Sequence, residues 1–305
     1  MAVPATVRAR ARRRARAGSS RVVRGKSLRV GSVLRFVYIG LFLAFLLFPI
    51  YWVILTSFKP SDEYQNIPPV FWTHHPTTIH YTTAMNHLRG WLGLKNSLVV
   101  SSVTTFFSVL IGTAAAYSMA RYRTGGRHLP FFILSQRFLP PIAIAIPIFL
   151  LYSTELPHWV GLNLYDTRAG LILLYTMFTL PFSIWMMYTY FRQMPVELEE
   201  AALVDGCSRW QSLWKVAWPL AAPGIVSAAA FAFIFSWTDF FFALLLTSTK
   251  ATTLPVVISQ FLSFQAAQFG ESSALTVVSM IPALLLGLIV QRHLVRGLTL
   301  GAVQG

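Results

Sequence analysis

Residues 199–224 read EEAALVDGCSRWQSLWKVAWPLAAPG, a cassette set between two strongly apolar segments. Pro195, just upstream, suits the first turn of a helix, where its missing N–H is no loss. Glu197, Glu199 and Glu200 place negative charge at the positive end of that helix's dipole. Gly206 is positioned to end the helix in a left-handed conformation. Ser208, with Gln211 three residues on, makes a capping box for a second helix, which runs to Pro219. The pattern is helix, tight turn, helix. Leu198, Ala201 and Ala202 form a small apolar face at helical spacing, and the alanines leave room for a partner backbone. Trp210, Leu213, Trp214 and Ala217 form a second stripe. Such a cassette is built for a soluble partner to dock and push on; the plainer alternative is a loop folded against its own spans. A DNA-reading helix-turn-helix fits poorly, because only Arg209 and Lys215 are basic after the turn and three glutamates precede it.

The flanks set the class. Of 305 residues, 55% are hydrophobic and 11% charged, against roughly 25% charged in soluble domains, and mean hydropathy is +0.58. Apolar runs reach the roughly 20 residues needed to cross a bilayer. The expected fold is an all-α integral membrane protein with six transmembrane helices, at about 33–57, 96–119, 129–152, 169–191, 220–247 and 273–295. The domain reading is a basic arm over 1–32, a six-helix domain over 33–297 containing the cassette 193–218, and a tail over 298–305. With the N-terminus inside, Lys and Arg number 19 on inside segments and 5 on outside loops, which predicts N-in, C-in. Net charge is +15, and 11 of the 25 Lys and Arg lie in residues 1–35. An arginine-rich arm beside a span points to anionic lipid rather than nucleic acid. The long apolar stretch after the arm, with no small-residue cleavage site, does not read as a cleavable signal. The single cysteine, Cys207, allows no intrachain disulfide.

Other residues stand out within the spans. Arg137 lies inside span three, followed by Pro140, Pro141 and Pro147. A buried charge must face protein or water, and loosened backbone is tolerated where it lines a cavity. Arg137, Pro140 and Pro141 are therefore candidates for a translocation path; a structural arginine is the even alternative. Trp237 and Asp239 in span five join them, since aromatic and polar groups together suit sugar rings; for the aromatics alone, an interface belt over FSWTDFFF is the plainer reading. Counting about 1.5 Å per residue sets Arg137 about 12 Å and Asp239 about 28 Å from the inner ends of their spans, so pairing is not assumed. His74, His75 and His80 cluster in the first outside loop, which reads as a solvated cap; no metal site is assigned. Gly25-Lys26-Ser27 is no phosphate loop, because the glycine needed five residues earlier is Ser20. Any ATPase must be another chain.

The cassette resembles the EAA motif of permease subunits in bacterial ATP-binding cassette importers, in which Glu-Ala-Ala is followed after three residues by Gly and after nine more by Ile-x-Leu-Pro. Here the residues are Glu200-Ala201-Ala202, Gly206 and Val216-Ala217-Trp218-Pro219, with Val for Ile and Trp for Leu. Residues 33–305 are similar to the smaller membrane subunit of maltose-type carbohydrate importers, on FKPSDE (58–63), RFLPPIAIAIPIF (137–149), FSWTDFFFALLL (235–246) and the closing RGLTLGAVQG. The resemblance implies a type I importer permease fold in the bacterial inner membrane and no catalytic residues. It also implies a second permease subunit, an ATPase dimer holding ATP and Mg2+, and an external sugar-binding protein or lipoprotein as partners. This chain itself would bind no cofactor. Glu200, Ala201, Ala202, Asp205, Gly206 and Pro219 would couple to the ATPase, and Gly301 and Gln304 of the tail would reach it. The rivals are an ion-gradient-driven secondary transporter, which wants several mid-membrane acids where only Asp239 is embedded, and a membrane enzyme, for which no catalytic cluster remains.

Overall fold

The computed structural model describes residues 27–64, 66–261 and 268–301; the basic arm through residue 26 and Gln304 lie outside them. All regular structure among the described residues is helical. Contacts divide the chain into two units, 1–52 and 53–305. The first contains most of helix α1 (Ser27–Phe58), whose apolar side chains from Val33 to Phe48 are exposed all round. A helix apolar on every face suits hydrocarbon. The second unit contains α2 (Gly90–Tyr122), α3 (Pro141–Leu150), α4 (Arg168–Gln193), α5 (Glu197–Val204), α6 (Ala222–Thr238), α7 (Phe241–Leu246) and α8 (Phe269–Gly301), with short helical turns between.

Five helical segments are long and apolar enough to cross a membrane: Ser32–Phe58, Gly90–Tyr122, Pro141–Val160, Arg168–Gln193 and Phe269–Gln291. A sixth counts if Arg209–Leu220 and Ala222–Thr238, which meet at 77°, form one broken span. Four expected spans fall where the apolar runs place them. The other two are interrupted. The helix expected over 129–152 stops at Ser135, passes through a tight turn at Gln136–Phe138, and restarts at Pro141. Pro140 and Pro141 drive this, since a residue before proline is pushed out of the helical region; Leu139 and Pro140 have ψ of 123° and 129°. The span expected over 220–247 breaks at Asp239, whose ψ is 127°. Its carboxylate accepts the N–H groups of Phe242 and Ala243 at 3.2 and 3.3 Å, so a side chain does for α7 what a preceding turn of helix would have done.

Helix α2 packs along α4, and α6 lies against both. The buried side of α2 is built of small residues, Ser97, Ser101, Thr104, Ser108 and Gly112; Ser97 accepts from Leu254 N–H, and the Ser108 hydroxyl meets that of Thr179 on α4. A Cβ at Gly112 would lie 3.0 Å from Ser183 Cβ. Without a hydrophobic drive between helices in lipid, close approach through small residues supplies the attraction.

At the end opposite the cassette, the chain is tied across its loops. Asp166, at φ +53°, accepts backbone N–H groups of Ser248, Thr249, Lys250 and Ala251 and the Thr249 hydroxyl. Burial pushes its carboxyl up, but the four amides outweigh this and hold it at about 2. A depressed carboxyl contributes stability that is full above its unfolded value of about 3.9 and is lost as pH falls through the folded value. Asp166→Ala is therefore expected to lower stability at neutral pH by about 2 kcal/mol, the range for hydrogen bonds to a charged group. It should also flatten the dependence of melting temperature on pH between about 4 and 2, read by thermal unfolding in detergent. Asn96 braces the same region, donating to Lys250 O and Thr252 O and accepting from Arg168 Nε. His80 departs from the solvated loop expected of it: it is buried, with Nδ1 3.0 Å from Glu271 Oε1 and Nε2 2.9 Å from Lys59 O.

Candidate functional site

The cassette folds as helix, turn, helix. Gly206 has φ +88°, its N–H donates to Leu203 O, and Cys207 N–H donates to Ala202 O. That pair of bonds closes α5 with the left-handed cap expected at this glycine. Ser208 and Gln211 make the reciprocal capping box, at 3.2 and 2.9 Å. The second helix is less regular than its sequence suggests. It widens into a π turn at Leu213–Ala217, passes Pro219 and ends at Leu220. Widening before Pro219 relieves the clash of its ring with the carbonyl four residues back.

The two faces of α5 have different fates. Glu199 is buried. It accepts from Tyr117 Oη at 2.7 Å and Arg121 Nε at 2.8 Å, both from the last turns of α2, and pairs with Arg121 Nη2 at 2.7 Å. Arg121 also donates to Met194 O, at the end of α4. Ala202, one turn on, is buried too, so of the two alanines expected to face a partner only Ala201 is exposed. Glu200, Ala201, Asp205, Gly206 and Pro219 are exposed, as are Leu198, Leu203 and Val204. On the second helix Leu213 and Ala217 enter the core with Tyr117, Met187 and Phe191. Trp210, Trp214 and Trp218 form a row outside it, the first pair edge-to-face and the second tilted, ring centroids 5.6 and 4.5 Å apart. The sequence singles out Glu200 for coupling and gives Glu199 only a place at the helix dipole, so the Glu199–Arg121–Tyr117 clamp is not foreseen. The available signal was Tyr117 and Arg121 one turn apart at the end of span two.

A second feature is a cavity of about 410 Å³ lined by Arg137, Pro141, Ile142, Phe178, Phe235 and Asp239, among others. The two breaks bring Arg137 and Asp239 to one space, against the depths counted along unbroken helices. They do not pair. Arg137 Nη1 donates to Phe178 O, and its guanidinium lies 4.6 Å from the Phe235 ring centre and 5.8 Å from that of Phe231, a cation–π cage worth about 2 kcal/mol when desolvated. Asp239 accepts from Tyr175 Oη at 2.7 Å. Pro140 is the extended residue just before α3 and does not line the cavity, whereas Pro141 does. Trp237, expected beside Asp239 in the path, is instead buried; its Nε1 donates to Ser279 O of α8. Positions two apart at the end of a helix point about 200° apart, which is why Asp239 reaches the cavity side and Trp237 does not. Gly301 is the last described residue of α8.

Several membrane-length helices, a capped helical cassette clamped to them, and a cavity holding an arginine and an aspartate define a polytopic helical membrane protein of transporter type. Residues 108–300 match the family described as Binding-protein-dependent transport system inner membrane component, and the chain belongs to that family. It is 36% identical over 274 residues to the trehalose transport system permease protein of Mycobacterium tuberculosis, covering 87% of this chain and 95% of that one. It is 35% identical over 266 residues to the trehalose/maltose transport system permease protein of Thermococcus litoralis, covering 85% and 92%. Among solved structures, a chain of a bacterial ABC transporter involved in the import of the acidic polysaccharide alginate shares the fold, with a TM-score of 0.71, 23% identity and coverage of 88% of this chain and 98% of that one.

Proposed function

We propose that this chain is the non-catalytic permease subunit of an ATP-driven importer for a sugar, of the di- or oligosaccharide class, and forms half of the translocation path. The carrying observation is the cassette: α5 is fixed to α2 through Glu199 while Glu200, Ala201 and Val204 face outward. A lever needs this arrangement, rigid toward its own spans and open toward what pushes it. The lever would be held by a separate ATPase subunit, with Glu200 contacting it, Ala201 allowing close approach, and Gly206 and Asp205 forming the turn. ATP and Mg2+ belong to that partner. The 19-to-5 distribution of Lys and Arg supports N-in, C-in insertion in the bacterial inner membrane. The family's description as binding-protein-dependent supports an external binding protein as a further partner, and the resemblance to maltose-type importers implies a second permease subunit. In the cavity, the Arg137 donors and the Asp239 acceptor, set among phenylalanines, suit hydroxyl edges and apolar faces of a sugar ring.

The test is a pull-down of the detergent-solubilised chain, scored by mass spectrometry. Wild type is expected to recover an ATPase and a second permease. Glu200→Lys and Gly206→Pro are expected to lose the ATPase at least tenfold and keep the permease. Proline cannot adopt the φ of Gly206 and lacks the N–H that caps α5, a cost of about 3 kcal/mol. Recovery of no ATPase by wild type would sink the reading.

A further inference from the structure

On the cassette side of the helices, a cavity of about 540 Å³ opens between the last turns of α2 and α4 and the turn that follows α2. Arg123, Arg127 and Arg192 line it, and Met119, Ala120 and Tyr188 supply its apolar part. No carboxylate lines it. The nearby Glu199 is already engaged by Arg121. Arg192 rests on Tyr188, its Cζ 5.9 Å from the ring centre.

The backbone holds these cations together. Arg123 closes α2 at φ +54°, and Gly125 and Gly126 follow at +77° and +73°. The Thr124 hydroxyl is tied to that of Ser118 at 2.8 Å. The turn is therefore preset, and Arg123 and Arg127 are kept on one cavity with Arg192 although like charges would otherwise spread apart. A Cβ at Gly126 would meet nothing within 4 Å, so the cavity has room beside the turn.

Guanidinium groups match phosphate oxygens through paired N–H bonds. A basic pocket at the ends of membrane-length helices sits at the level of lipid headgroups. The volume exceeds what inorganic phosphate needs and suits a phosphate ester with its glycerol. We propose that this cavity binds a phosphate-ester anion, supplied by the headgroup of an anionic phospholipid. The bound headgroup bridges the ends of α2 and α4 next to the Arg121–Glu199 clamp, and so steadies the base on which the cassette rests. This does not depend on what the chain transports.

The full-length chain, purified with its accompanying subunits, is placed in nanodiscs of mixed phosphatidylglycerol and phosphatidylcholine, and lipid retained after detergent transfer is read by native mass spectrometry. Wild type is expected to retain phosphatidylglycerol at least tenfold over phosphatidylcholine. Arg123→Gln/Arg127→Gln/Arg192→Gln should lose that preference. Arg89→Gln/Lys95→Gln/Lys250→Gln, which removes equal charge at the opposite end, should keep it. If the triple variant does not fold, Arg127→Gln alone, on an exposed turn, gives the same readout with a smaller loss. A parallel arm adds glycerol 3-phosphate at millimolar concentration. Arginine-dependent binding of that compound without lipid retention keeps the phosphate-ester site and overturns the lipid source. Equal retention in wild type and triple variant, or loss of a protein subunit with lipid unchanged, overturns the proposal.

Discussion

Glu199→Ala is expected to free the cassette from α2 and abolish transport while leaving the spans inserted. The carboxylate sits between Tyr117 Oη and Arg121, and the side chains of Arg121 and Glu199 are only 10% and 6% exposed. Removing one member of a buried pair strands the other charge, which costs about 3–5 kcal/mol. Most of that falls on the local equilibrium between attached and detached α5, because the rest of the cassette is held by Leu213 and Ala217 in the core. A shift of that size is about two to four powers of ten in the ratio of attached to detached α5. Two readouts separate it from general misfolding. Substrate uptake in vesicles should fall to background, and protease should cut near Gly206 faster than in wild type while the membrane fragments persist. Replacing the clamp by uncharged groups, Glu199→Gln with Arg121→Met, should recover part of the protease resistance, since a neutral pair leaves no buried charge. Equal protease resistance in Glu199→Ala and wild type would refute the clamp.

Asp239→Ala should be nearly as severe, by a different route. Asp239 is the acceptor for the buried Tyr175 hydroxyl and for the first N–H groups of α7. Alanine removes the acceptor for all of them, at about 1–3 kcal/mol for each that is left unsatisfied. A loss of about 3 kcal/mol or more is expected in apparent stability, with α7 no longer starting at Phe241. Asp239→Asn keeps an acceptor oxygen and should restore most of the stability. Its uptake then reports on the negative charge in the cavity, apart from the structural role. Tyr175→Phe removes one donor of the group, and the double substitution with Asp239→Ala should cost less than the sum of the singles by about 1 kcal/mol. Additive effects would mean that the hydroxyl and the carboxylate do not act together.

The sequence alone determined the class, because hydrocarbon imposes a length and composition on any helix that crosses it, and those are local properties of the chain. It determined the turn chemistry of the cassette for the same reason: the left-handed Gly206 and the Ser208–Gln211 box are set within a few residues. The tertiary structure decided what depends on helical phase and on neighbours. Glu199 and Glu200 are adjacent and chemically alike, yet one is buried on Arg121 and the other faces outward, because successive residues turn about 100° around α5 and only one direction meets α2. Ala201 and Ala202 divide in the same way. The meeting of Arg137 and Asp239 at one cavity lay beyond reach of residue counting, since it rests on two helix breaks. One was foreshadowed by Pro140 and Pro141. The other is made by the Asp239 side chain itself, which competes with the backbone ladder only once Tyr175 and the α7 amides are in place around it.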